Sequence, residues 1–192
     1  GTGVLVVRHH KHKSETKNDI ANILLEFTTR SGNQVRTVNF DRAGEYTSPE
    51  TNQEFRRHGV RPVFMPAYDH NSAHLIEGIQ FWIQKASDAY MHRGNAGRVW
   101  RAHAKQEAAF VHNNTPKYED PNSTSTVPCL SPMNRLENNN HLYNNKNFHP
   151  LFCFVVRKFP RETRKKDGAK TQNGIFVGHA LNSRTFYYYE PN

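Results

Sequence analysis

The apolar positions of this chain change period several times, and each change marks an element. Val4–Arg8 is a short β-branched, apolar run bounded by Gly3 and a polar stretch, which predicts a buried strand. After Ser14, a candidate helix cap, Ile20, Ile23, Leu24 and Phe27 recur at helical spacing, and Ser31-Gly32 is expected to end that helix. Val35–Phe40 predicts a strand that delivers Asp41 at its end, followed by the turn Arg42-Ala43-Gly44-Glu45. Asn52–His58 predicts a short helix and Val60–Met65 a further strand. Pro66–Ser72 has loop chemistry, with Asn71 or Ser72 placed to cap a helix. That helix has the clearest pattern in the chain: Leu75, Ile79, Trp82 or Ile83, Ala86 and Tyr90 form one apolar stripe. Glu77 falls in its first turn, off the centre of that stripe. His92–Asn95 reads as a turn, and Arg98–Val111 repeats the pattern with Trp100, His103, Ala104, Ala108 and Val111.

Periodicity then disappears. Residues 113–150 read as a surface loop or linker, because the stretch 134–147 alone holds seven asparagines, which compete with the backbone for hydrogen bonds. Strand character returns in Leu151–Arg157, Gly174–His179 and Thr185–Glu190, with Leu181–Arg184 as a hairpin connection. A basic stretch, Arg157–Lys170, separates the first two; it carries seven Lys or Arg against Glu162 and Asp167. Strands alternating with helices predict an α/β fold.

Composition adds two constraints. The 192 residues allow one domain of ordinary size, or one with an appendage, and at 35% apolar content its polar loops must be extensive. Lys and Arg number 26 against 17 acids, a net charge of +9, which points to a polyanionic partner, since each cation near a phosphate releases a condensed counterion. Two cysteines, Cys129 and Cys153, are too few for a disulfide framework or a four-cysteine zinc site and read as reduced thiols. No apolar stretch approaches the length of a membrane span and no secretory signal is present, so a soluble intracellular protein is expected. The start, Gly1-Thr2-Gly3 leading directly into Val4–Val7, reads as entry into the middle of a fold.

Asp41 and Glu77 are the candidate catalytic pair. Their separation by 35 residues means little by itself among 17 acids. Their context means more: one ends a strand and the other lies early in an amphipathic helix, an arrangement that can bring two carboxylates over one sheet edge. The flanking residues resemble the integrase of copia-type retrotransposons. Val38–Tyr46 is similar to the segment in which the second catalytic Asp precedes an Asn-Gly-Gly-Glu-Phe/Tyr turn. His12-Lys13-Ser14-Glu15 resembles the family's opening of the preceding helix, and Phe55–Val60 its short helix and the turn before the next strand. Pro66-Ala67-Tyr68 is similar to the loop before the catalytic Glu, Asn173–Ser183 to a Gly-Ile-Phe-Val-Gly hairpin, and Tyr189-Glu190-Pro191 to a Tyr-Asp-Pro end. These matches run in order over nearly the whole chain.

The resemblance implies a ribonuclease H-like core, a mixed sheet flanked by helices, lacking its first strand and followed by a small β-rich C-terminal segment. The implied division is a truncated catalytic core over 1–112, a linker over 113–150 and the β-rich segment over 151–192. The implied activity is DNA integration, joining element 3′ ends to target DNA, with carboxylates holding two Mg²⁺ ions. Hard oxygen ligands suit Mg²⁺. Asp41 matches the second ligand and Glu77 the third; the first Asp and the zinc-binding His/Cys module are expected upstream of Gly1. Implied partners are element and target DNA, no membrane, and further copies of the full-length protein; the implied location is the nucleus. Arg157, Lys158, Arg161, Arg164, Lys165 and Lys166 are candidate phosphate contacts, with a merely solvated loop as the alternative.

The sequence also departs from the family. Ala73-His74 and Gly78 stand where Asn-Gly and a basic residue usually flank the Glu, and Arg42-Ala43 replaces Asn-Gly after the Asp. Gly early in a helix costs up to about 1 kcal/mol relative to Ala. Since the earliest acid in these residues is Glu15, the fragment is expected to be inactive alone. A non-catalytic nucleic-acid-binding remnant, or a basic protein of a ribonucleoprotein, are the competing functions. Trp82 and Trp100 are expected in the core rather than as base platforms, and His9, His10 and His12 as a surface cluster rather than a metal site.

Overall fold

The structure, a computed structural model, describes residues 2–10, 12–40, 44–64, 70–116, 130–138, 148–159, 168–180 and 185–191, with the backbone alone at 13, 44, 45 and 70–75. Two compact units form: residues 1–81 with 113–142, and residues 82–112 with 143–192.

In the first unit, α1 (Thr16–Ser31) begins after a 3-10 turn, Lys13–Glu15, so Ser14 lies inside that turn rather than at the cap. Its end matches the sequence expectation: Gly32 adopts φ +66°, a left-handed conformation that costs a residue without Cβ little. β1 (Thr37–Phe40) runs parallel to β2 (Arg61–Phe64), with Phe40 opposite Phe64. Between them lie α2 (Gly44–Thr47) and α3 (Pro49–Arg57). α3 starts earlier than its apolar pattern suggests because Ser48 caps it, its side chain accepting the Thr51 amide at 3.2 Å, with Pro49 at the first helical position. Ile20, Leu24, Phe55 and Val60 form the core, against which Val35, Val38, Phe40 and Tyr46 pack. The rings of Phe40 and Phe55 are 5.0 Å apart.

Two expectations fail here. Val4–Arg8 forms no strand: its residues are half-buried, and instead of a ladder the Leu5 backbone meets one side chain. Asn113 Oδ1 accepts the Leu5 amide at 2.8 Å, and Asn113 Nδ2 donates to the Leu5 carbonyl at 2.7 Å. β propensity cannot make a strand without a neighbouring backbone. The segment 113–150 is not loop throughout, because α6 (Pro132–Glu137) forms within it. Ser131 caps α6 by accepting the Asn134 amide, Leu136 is buried, and Arg30 of α1 binds Glu137 at 2.6 Å. The asparagine run 139–147 lies outside the described residues.

α4 (His70–Arg93) runs for 24 residues from the first unit into the second. In the second unit it turns through Gly94 and Asn95 into a 3-10 turn, Arg98–Trp100, and α5 (Arg101–Asn114). Fully buried Ala104 and Ala108 give α5 a flat face, and Met91, Ala104, Leu151 and Phe176 make the core. Trp100 packs at its margin against Phe152, as the apolar stripe implied, whereas Trp82 is 42% exposed and, among the described residues, its ring meets the edge of His112. β3 (Phe154–Lys158), β4 (Thr171–His179) and β5 (Phe186–Tyr189) form an antiparallel sheet in that order, with a bulge between Phe176 and Gly178. The connection 181–184 lies outside the described residues.

Candidate functional site

The sequence expectation sets the candidate pair at the end of β1 and early in α4. Asp41 follows β1 directly in sequence, but it lies outside the described residues, so the pair with Glu77 is not placed. Glu77 is exposed, as its position off the apolar stripe implied. It does not lie in the first turn. α4 begins at His70, ahead of the expected caps, which puts Glu77 seven residues further on, roughly 10 Å along the axis.

Nothing else among the described residues completes a metal site: no group of three His, Cys, Asp or Glu side chains is arranged to hold an ion. Of the expected ligand pair, only Glu77 is among the described residues. His10 instead meets Asp19, Nδ1 to Oδ2 at 3.1 Å, in keeping with a surface cluster. A cavity of about 270 Å³ between α1 and β1 is wholly apolar, lined by Ile20, Leu24, Phe27, Val35, Val38 and Phe40 among others, and offers no acid or base.

Of the six candidate phosphate contacts, Arg157 and Lys158 are described, both exposed on β3; Arg161, Arg164, Lys165 and Lys166 lie outside the described residues. The Arg157 guanidinium sits over the Tyr188 ring at 5.4 Å and donates to its hydroxyl. Such a cation–π contact orients the group while leaving it charged.

Sequence reasoning missed one constellation. Glu107, on α5 between Ala104 and Ala108, is buried and paired with His179 at the end of β4. The signal was present as an acid flanked by core alanines, but its partner is 72 residues away. Phe110 stacks on the His179 ring at 4.4 Å, and His149 lies parallel to it at 6.2 Å. Burial and the Glu107 charge together push the Tyr90 hydroxyl above its ordinary pKa.

The fold these elements build is a mixed α/β one, similar to that of a chain in a solved retroviral intasome complex. A chain of the simian T-cell lymphotropic virus intasome, solved in complex with PP2A regulatory subunit B56 gamma, is similar to this one with a TM-score of 0.53 and 13% identity, over 98% of this chain and 66% of that chain. The catalytic core domain of BIV integrase gives a TM-score of 0.48 and 13% identity, over 70% of this chain and 78% of that one. This chain thus spans 66% of the length of the intasome chain, and at 13% identity the likeness is one of fold alone. No family model and no curated protein matches the sequence. Among the described residues, no helix is long and apolar enough to cross a membrane.

Proposed function

We propose that this chain derives from the integrase core of a copia-type retrotransposon polyprotein, a ribonuclease H-like fold for DNA integration, and that in isolation it binds DNA without joining it. The observation that carries the reading is the position of Glu77, exposed on the helix that comes after the parallel β1–β2 pair, with Asp41 next in sequence to the end of β1. The reading assigns both as Mg²⁺ ligands and expects a strand with a further carboxylate beside β1, whose second edge has no ladder partner among the described residues. Two carboxylates do not hold two ions in the geometry that phosphoryl transfer needs. The chain divides, on this reading, at 112 and 150 into core, linker and β-rich segment. Element and target DNA, further copies of the full-length protein, and a nuclear location belong to the same proposal.

A test uses Fe²⁺ in place of Mg²⁺. With ascorbate and peroxide, bound iron should cleave the backbone near both 41 and 77, and Asp41→Asn should abolish both cuts. Cuts at neither position, or cuts unchanged in Asp41→Asn, would refute the shared site. Strand joining by this chain above a Glu77→Gln control would refute its inactivity.

The departures at Ala73-His74, Gly78 and Arg42-Ala43 favour a second reading, a remnant that keeps the basic fold and binds nucleic acid without metal. Its signature is duplex binding that Asp41→Asn and Glu77→Gln leave unchanged in Mg²⁺, with no iron cleavage.

A further inference from the structure

We propose that the outer face of the β3–β4–β5 sheet is a stacking platform for single-stranded nucleic acid. Side chains alternate between the faces of a strand, and the register puts Phe154, Ile175 and Tyr189 in one row on the same face. Val156 and Tyr187 continue that face along β3 and β5. The opposite face sends Val155 and Phe176 into the core and holds Arg157 with Tyr188.

An antiparallel sheet with one face in water ordinarily turns polar residues outward. This one does the reverse. Phe154 is 66% exposed, Tyr187 61% and Tyr189 44%, and Val156 is exposed beside them. Asn173, opposite Val156, interrupts the face, and Trp100 packs edge-on against Tyr189 at 5.1 Å, yet the exposed Phe154, Val156 and Tyr187 leave apolar surface of the kind that marks an interaction site.

Charge selects the occupant. No strand residue on this face is acidic. The acid at the end of β5, Glu190, is held by Gln172 on the other side. Lys158 and Lys170 stand exposed at one end, tied together where the Phe159 amide donates to the Lys170 carbonyl at 3.1 Å. Rings flanked by cations in a chain of net charge +9 suit a polyanion that presents flat apolar groups. Unpaired bases do so; a duplex keeps its bases stacked on one another. Base–aromatic stacking tolerates any sequence because every base has a π-face. The platform uses neither Asp41 nor Glu77, so it stands or falls apart from the integrase reading.

The test is fluorescence anisotropy with the 192-residue chain and a labelled 20-nucleotide oligothymidylate, against a duplex of equal length at matched salt. Phe154→Ala and Tyr187→Ala should each weaken single-strand binding about tenfold. The dependence on salt should not change, because no phosphate contact is removed. Phe154→Tyr should bind as wild type. Duplex affinity should be indifferent to all three. Single-strand affinity unchanged by both alanine variants, or an equal loss for duplex, overturns the proposal. A dimer in sedimentation velocity that Phe154→Ala disperses also overturns it, since a second copy would then cover the face. Should an alanine variant melt early, photocrosslinking of a bromouridine oligonucleotide to the unaltered chain decides: crosslinks in the peptides of Phe154 and Tyr187 support the platform, and crosslinks confined elsewhere refute it.

Discussion

Glu107 grips His179 with both carboxylate oxygens: Oε2 accepts the His179 backbone amide at 2.9 Å, while Oε1 lies 2.8 Å from the ring Nδ1. Both side chains are almost wholly buried, at 3% and 4% exposure. The contact joins α5 to the end of β4 within the second unit. A carboxylate so placed favours the tautomer with the proton on Nδ1.

Removing the carboxylate should therefore cost far more than a surface acid would. Glu107→Ala leaves the His179 amide and ring N–H buried without that acceptor, a loss of about 1–3 kcal/mol for each donor. Glu107→Gln keeps one oxygen for the amide and should lose about 1–3 kcal/mol. Thermal unfolding followed by circular dichroism checks the order. Equal melting temperatures for wild type and Glu107→Ala would show that the pair contributes nothing.

Tyr90 provides a pH readout of the same region. Burial, and secondarily the Glu107 charge, raise its folded pKa above the ordinary value near 10. Its neutral hydroxyl thus contributes stability that is complete below the unfolded pKa and is lost as pH climbs through the folded one. Phenolate absorbance, taken as the difference between wild type and Tyr90→Phe, should show this residue titrating later than free tyrosine. In a Glu107→Gln background its midpoint should fall while staying above the ordinary value, because burial remains.

Gly94 and Phe152 should behave as a coupled pair. A Cβ on Gly94 would stand 2.5 Å from Phe152 Cδ2 and 2.8 Å from Phe152 Cβ. The ring cannot withdraw easily, since the Phe152 backbone sits at φ +65° and its amide donates to the Phe176 carbonyl at 2.8 Å. Gly94→Ala should destabilise by about 1–3 kcal/mol through overpacking. In a Phe152→Ala background the same change should cost little, and denaturant melts of the four proteins measure that coupling.

Asn113 stands in for a missing strand beside Leu5. Asn113→Ala should accelerate amide exchange in the peptide containing Leu5 by removing both bonds, a loss of about 1–3 kcal/mol. Asn113→Asp should accelerate it at least as much, because the buried carboxylate would set an oxygen against the Leu5 carbonyl where the amide now donates. Exchange unaltered in Asn113→Ala would show that the N-terminal segment is held by packing alone.

The legible part of this fold was the part written in short-range periodicity. Ile20, Leu24 and Gly32 set α1; Ala104 and Ala108 mark the buried face of α5; Val38 and Phe40 alternate inward on β1. Helix boundaries were less legible: Ser48 and Ser131 act as caps through side-chain bonds that fall outside the apolar pattern. Of the candidate site, Glu77, Arg157 and Lys158 stand in solvent as their polar character required, while Glu77 sits deeper in α4 than expected.

By itself the sequence determined the main helices, the strand character of β1 to β5 and the basic character of the chain, because each depends on residues close together. Tertiary structure alone decided that Val4–Arg8 would meet Asn113 instead of a strand, that Arg30 would hold α6, that Glu107 would find His179, and that Phe154, Tyr187 and Tyr189 would share an exposed face. Those outcomes rest on partners tens of residues apart, and no local pattern states which distant backbone or side chain will satisfy a given donor or cover a given ring.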